Sequence, residues 1–215
     1  MAVRVTDPFN DVTHWTQISA GIKSVTGKAV RGDGGGSDGF ALYNADTPPT
    51  DHYAKLAWGG TANNSPGTDN DDAGPMVRMD GSANGYLFNV EPNDFGTPPG
   101  SNWILFKVVA GAGTPLTSGH TTVALVSGDI IECRAVGNTI SGWINGVQIT
   151  STTDASFPTN TGYGVHIFSS TQVGTWDNFE GGDFTGGGGG GIVVTATNMA
   201  SPPFFKHRRR HGKRS

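Results

Sequence analysis

Glutamate, cysteine and long apolar runs are scarce in this 215-residue chain, and each scarcity removes a class of function. The single cysteine, Cys133, rules out an internal disulfide. It sits in an alternating apolar segment, where cysteine acts as a small buried hydrophobe rather than a reactive thiol. The only glutamates are Glu91, Glu132 and Glu180, and no two are neighbours in sequence. Hydrolysis of a glycosidic bond uses two carboxylates roughly 5–10 Å apart, and no segment offers such a pair. No apolar stretch is long enough for a membrane-spanning helix, so membrane insertion is not expected. The opening Met1-Ala2-Val3-Arg4 has no apolar run of signal-peptide length, which makes synthesis and folding in a cytoplasm the expectation. The six histidines lack metal-ligand spacing, and no Gly-x-Ser-x-Gly elbow is present. Asp33-Gly34-Gly35-Gly36 is not followed by the Gly-Lys-Ser/Thr of a phosphate loop. Catalysis is therefore not expected.

Glycine is plentiful, at 34 residues, more than twice the usual share of about 7%. That composition suits short strands and tight turns and penalises helices. Strand signals recur at His14–Ile18, Phe40–Asn44, Tyr53–Trp58, Pro75–Asp80, Tyr86–Val90, Trp103–Ala110, Thr121–Val126, Ile130–Val136, Thr139–Ile144, Val147–Thr152, Gly164–Phe168 and Thr175–Phe179. No segment has helical periodicity. The clearest stretch is a three-stranded meander from Ile130 to Thr152, turned at Gly137-Asn138 and at Asn145-Gly146. Twelve short antiparallel strands resolve into two packed sheets. The expected fold is all-β: a two-sheet antiparallel jelly-roll sandwich over residues 1–184, a glycine hinge over 185–191 and an extended basic tail over 192–215. Two loops, Gly32–Gly39 with Asp33 and Asp38, and Thr61–Gly74, are too polar for burial to be expected. The second carries Asp69, Asn70, Asp71 and Asp72, an acidic run without an EF-hand pattern.

The segment Ile130-Ile131-Glu132-Cys133-Arg134-Ala135-Val136-Gly137-Asn138-Thr139-Ile140 leads into Trp143-Ile144-Asn145-Gly146-Val147. The closing Trp176-Asp177-Asn178-Phe179 echoes the opening Asp7-Pro8-Phe9-Asn10. Together these segments resemble the concanavalin-A-like lectin/glucanase (laminin-G-like) jelly rolls, which also occur in bacteriophage structural proteins. The resemblance implies that the first and last strands lie side by side. It also implies a structural calcium between them, held by Asp177 and Asp7; the alternative is that Asp7 caps a turn and Asp177 is solvated. Glucanases of this fold carry Glu-x-Asp-x-x-Glu on one strand, a pattern missing here. A glycan platform would use exposed aromatic faces. Alternation sets Trp103 with Leu105 and Lys107, opposite Ile104 and Phe106, and sets Trp143 with Thr139 and Ser141, opposite Ile140 and Ile144. These two tryptophans are the candidates for a glycan platform, with cover for the sandwich rim or a subunit interface as the alternative.

Charge is unevenly distributed. The chain carries −4 overall. Lys206, Arg208, Arg209, Arg210, Lys213 and Arg214 hold six of its fourteen basic residues; without them eight basic residues face eighteen acidic ones, a body of −10. Six consecutive glycines, Gly186–Gly191, precede this cluster, and Phe204 and Phe205 adjoin it. The pattern reads as a tether docking onto a larger assembly, with a solvated tail that only aids solubility as the alternative; a homo-oligomer is a separate partner expectation. Nucleic acid is the weaker partner, because DNA would repel the acidic body. A lectin-like domain made without an export signal and carrying a tether fits a bacteriophage virion component, in capsid decoration or on the tail, touching host-surface glycans. The alternative is a free carbohydrate-binding module or lectin, and a second alternative is a hydrolase with an unrecognised site.

Overall fold

The computed structural model describes residues 1–25, 28–31, 38–59, 72–94, 100–122, 125–167 and 176–184. The glycine hinge and the tail, with Phe204, Phe205, Lys206, Arg208, Arg209, Arg210, Lys213 and Arg214, lie outside these residues. Fifteen strands are described, and no helix. They are β1 (Ala2–Asp7), β2 (Trp15–Ser19), β3 (Ile22–Val25), β4 (Lys28–Arg31), β5 (Gly39–Tyr43), β6 (His52–Trp58), β7 (Ala73–Met79) and β8 (Gly85–Asp94). Then come β9 (Gly100–Val109), β10 (Ala112–His120), β11 (Ile130–Val136), β12 (Thr139–Ile144), β13 (Val147–Thr153), β14 (Gly162–Ile167) and β15 (Trp176–Asp183).

They form two antiparallel sheets packed as a sandwich. One runs β13-β12-β11-β6-β15-β4-β3, with β1 also paired to β15; the other runs β10-β9-β8-β7-β14-β5-β2. The pairing of β1 with β15, from Ala2 opposite Asp183 to Asp7 opposite Phe179, brings the first and last strands together. The meander is β11–β13, and its second turn has Asn145 at φ 50° and Gly146 at φ 75°, the left-handed pair that a two-residue hairpin demands.

Alternation places the core between the sheets. Ile131, Cys133 and Ala135 of β11 face Tyr86, Phe88 and Val90 of β8, all buried. Trp58 and Trp176 meet edge to face at 5.0 Å, and Trp15 meets Phe179 at 4.9 Å. Burial pushes the Cys133 thiol well above its ordinary range, consistent with an inert core residue. A buried arginine ties the β7 end to its surroundings. Arg78 stands at φ 50°, donates from Nε to the Thr50 carbonyl at 3.1 Å and from Nη2 to the Gly137 carbonyl.

One expected strand is absent among the described residues, and four strands were not expected: β1, β3, β4 and β10. Of Thr121–Val126, the described residues form no strand; the strand is the preceding segment, β10. Gly113, Pro115 and Gly119 make β10 read as a turn. It holds as an edge strand, where a missing N–H is tolerated, and the register shifts between Pro115 and Thr117.

Candidate functional site

The outer face of the seven-stranded sheet is not polar. Phe40, Met76, Met79, Ala83, Leu87 and Val108 form a second buried cluster there, flanked by Ile18, Leu42 and Phe106. The sheet curls enough to bury them. A Cβ on Gly111, in the β9–β10 turn, would stand 3.7 Å from the Phe40 ring, although β8, β7 and β14 lie between β9 and β5 in the sheet. The same turn is pinned by Gly111 N–H to the Ala83 carbonyl at 3.2 Å. A concave cleft with an apolar floor results.

A chain of polar groups crosses this floor. Pairing sets Phe40 opposite His166 and His166 opposite Gly74. Pairing of Ala73 with Val90 carries the row on to Asn89. Gly74 therefore stands between His166 and Asn89, two strand spacings apart, about 9.6 Å along the sheet. With no side chain in that place, His166 Nδ1 reaches Asn89 Oδ1 at 3.3 Å. His166 Nε2 lies 2.8 Å from Asp38 Oδ1, and Asn89 Nδ2 donates to Asp72 Oδ2 at 2.7 Å. Both imidazole nitrogens are thus engaged by side-chain oxygens of the protein. The His166 side chain is 5% exposed and that of Asp38 54%, so the chain runs from a buried middle to an open mouth.

Asp72 is the least satisfied member. Its Oδ1 is sealed from solvent and has no hydrogen-bond partner among the described residues. Burial pushes its carboxyl up to about 6, against the pull of His166 and the Asn89 hydrogen bond; the charges of Glu91 and Asp38 add to the rise. This corrects the expectation that its loop lies wholly at the surface. Two depressions open here. One, about 190 Å³, is lined by Asp38, Phe40, Asp72, Asn89 and His166 among others; the next, about 330 Å³, shares Asp38, Phe40 and Gly111 with it.

The residues expected from sequence lie elsewhere. Trp103 turns inward, packing on the main core with its ring 6.2 Å from Phe88 and over Gly119. The expectation of a polar face for Trp103 is therefore reversed: Ile104 and Phe106 look outward because the outer face has its own apolar cluster. Trp143 does lie on the outer face of the other sheet. Its ring is covered by the Arg134 guanidinium at 3.6 Å, and its Nε1 donates to Ser141 Oγ at 2.9 Å. Asp7 is buried, and its two oxygens accept from the Phe9 N–H at 2.7 Å and the Trp15 indole at 3.0 Å. Asp177 Oδ1 accepts from the Asn178 N–H at 2.7 Å. These two aspartates are engaged in local turn structure and as arranged do not form a calcium cage; no group of three potential metal ligands occurs among the described residues. Glu132 pairs with Arg134 at 2.5 Å and Glu180 with Lys55 at 2.8 Å.

No family model matches the sequence, and no curated protein matches it. Solved structures do match the fold. The carbohydrate binding module CBM66 from Bacillus subtilis superposes with a TM-score of 0.57 at 17% identity, over 78% of this chain and 92% of its own. The exoplasmic/lumenal domain of VIP36, in its form bound to Ca2+ and Man3GlcNAc, gives 0.58 at 11% identity over 85% and 90%. The carbohydrate recognition domain of Emp46p in its metal-free form gives 0.53 at 11% identity over 82% and 91%. The fold is an antiparallel two-sheet jelly-roll sandwich of the kind these structures share. The similar jelly rolls are carbohydrate-binding domains, and at these identities the likeness speaks to architecture alone. Sequence reasoning noted Asp38 and Asp72 only as loop residues and missed Asn89 and His166. A glycine, Gly74, second in the largely apolar β7 segment Ala73–Met79, was the signal available.

Proposed function

We propose that this chain is a carbohydrate-binding domain without catalytic activity, and that a sugar sits at the mouth of the cleft between Asp38 and Asp72. One observation carries the reading: the chain Asp38–His166–Asn89–Asp72 laid across an apolar floor, ending in an acceptor without a partner among the described residues. A pyranose or furanose offers hydroxyls at its rim and C–H groups on its faces. A binding site for it needs fixed polar groups beside an apolar seat, and this cleft has both. The carbohydrate-binding character of the similar folds supports the reading. Against catalysis stands the engagement of Glu132 and Glu180 with Arg134 and Lys55, on the sheet that does not carry Glu91.

The test is a glycan array followed by titration calorimetry on the bound glycans. Asn89→Ala and Asp72→Ala are expected to weaken binding about tenfold or more, with circular dichroism and melting confirming a folded protein. Trp143→Ala is expected to leave binding unchanged. Absence of binding on the array, or binding indifferent to Asn89 and Asp72, would overturn the proposal.

The sequence favours a second reading that can coexist with the first. The acidic body and the six basic residues beyond six glycines suit a domain carried on a bacteriophage particle and docked through Phe204–Arg214. Mass spectrometry of gradient-purified particles tests it: stoichiometric co-sedimentation supports it, and a protein left in the soluble fraction removes it.

A further inference from the structure

Resting on the carbohydrate-binding reading, we propose that the cleft takes a neutral oligosaccharide of at least two units and rejects acidic glycans. The first ground is shape. The inner depression, about 190 Å³, lies below the roughly 300–1,000 Å³ of pockets that enclose small ligands; the outer one adds about 330 Å³. Asp38, Phe40 and Gly111 line both, so the two adjoin, with the half-exposed Asp38 at their junction. A ligand seated at Asp38 therefore meets both depressions.

The second ground is the difference between the two linings. Polar side chains with fixed directions (Asp72, Asn89, His166) line only the inner depression. Beyond the shared Asp38, Phe40 and Gly111, the outer one is lined by Ile18 and by the small Ser19, Ser82, Ala83, Ala110 and Ala112, which give room and van der Waals contact with little orientation. One sugar unit would be read by hydrogen bonds and the next accommodated by shape.

The third ground is charge. Among the described residues that line either depression there is no lysine or arginine, whereas Asp38 and Asp72 both contribute carboxylates. Glu91 adds a third negative group acting on Asp72. His166 already has both ring nitrogens engaged by protein oxygens. An incoming uronate or sulfate would face carboxylates in a half-buried cleft, where like charges are weakly screened. A neutral hydroxyl would instead donate to them.

The experiment uses the full chain on an array printed with neutral oligosaccharides from the monosaccharide upward, beside matched forms carrying uronate or sulfate. Calorimetry on the best neutral series follows. The expected result is neutral binding at least about tenfold tighter than acidic, and an affinity gain of about tenfold from one unit to two, levelling off beyond the length of the two depressions. Ala112→Trp and, independently, Ser82→Tyr should abolish the gain from the second unit while keeping single-unit binding. Two different positions guard against one variant failing to fold. Preference for acidic glycans, or affinity independent of length, overturns this inference and leaves the carbohydrate-binding reading standing. Binding of no glycan at all retires both.

Discussion

A side chain at position 74 would stand between His166 and Asn89, and glycine leaves that place to their hydrogen bond. The backbone enforces the choice, because a Cβ there would lie 2.1 Å from the Phe88 carbonyl oxygen. Gly74→Ala should cost about 1–3 kcal/mol by overpacking and weaken glycan binding as well; thermal melting and calorimetry read the two effects separately. The two tryptophans separate in the same way. Trp103→Ala removes a ring that packs on the main core and should cost about 3 kcal/mol or more. Trp143→Ala loses the stack with Arg134 on the outer face of the other sheet and should cost only about 1–2 kcal/mol. Chemical denaturation of the pair checks that order. If Trp143→Ala abolished glycan binding, the site would have to move to the other sheet.

The β11–β13 meander was legible before the structure because its turn chemistry is local. Asn145 supplies the left-handed φ, its Oδ1 accepts from the Ile130 N–H at 2.9 Å, and its Nδ2 donates to Asp129 Oδ1 at 2.8 Å. Asn145→Ala should destabilise by about 1–2 kcal/mol, through lost bonds and a strained backbone, while leaving the distant cleft intact. Denaturant midpoints and glycan titration together test this. β10 was illegible for the opposite reason. Its glycines and proline are turn formers in isolation, and only its position as an edge strand, pairing on one side, makes them acceptable. β9 misled by its alternation, which gives the period and not the face. Both of its faces are apolar, so Trp103 could be assigned inward or outward until the curl of the sheet was known.

At the scale of the whole molecule, two buried titrating groups act in opposite directions. His52 is held neutral, its Nδ1 bonded to the Pro49 carbonyl at 2.7 Å and its Nε2 accepting from the Arg78 N–H at 3.0 Å. Burial pushes it down to about 4 from 6.5, so the unfolded chain takes up a proton first. Stability from His52 is full above about pH 6.5 and is lost as pH falls toward 4. Asp72 is pushed up to about 6 from 3.8, so the folded chain takes up the proton first, and stability rises as pH falls through 6. Each effect amounts to about 1–2 kcal/mol between pH 7 and pH 5, and they largely cancel. The native protein should melt almost independently of pH across that window, whereas Asp72→Asn should lose stability on acidification. The carboxyls of Asp46, Asp80 and Asp154 are held below their ordinary value and titrate under this window. Calorimetric melts at pH 7, 6 and 5 decide it; parallel curves for the two proteins would remove Asp72 as a buried titrating group.

The sequence by itself determined the all-β class, the two-sheet sandwich, the meander with its turns and the core role of Cys133. Each follows from a period of two or from the φ that a turn residue prefers, and such information is held within a few neighbouring residues. Only the tertiary structure decided the cleft. Asp38, Asp72, Asn89 and His166 belong to four separate segments, and no spacing along the chain relates them. They meet because β5, β14, β7 and β8 are consecutive in the sheet in that order, because Gly74 leaves the middle of the row empty, and because the sheet curls until the β9–β10 turn reaches Phe40.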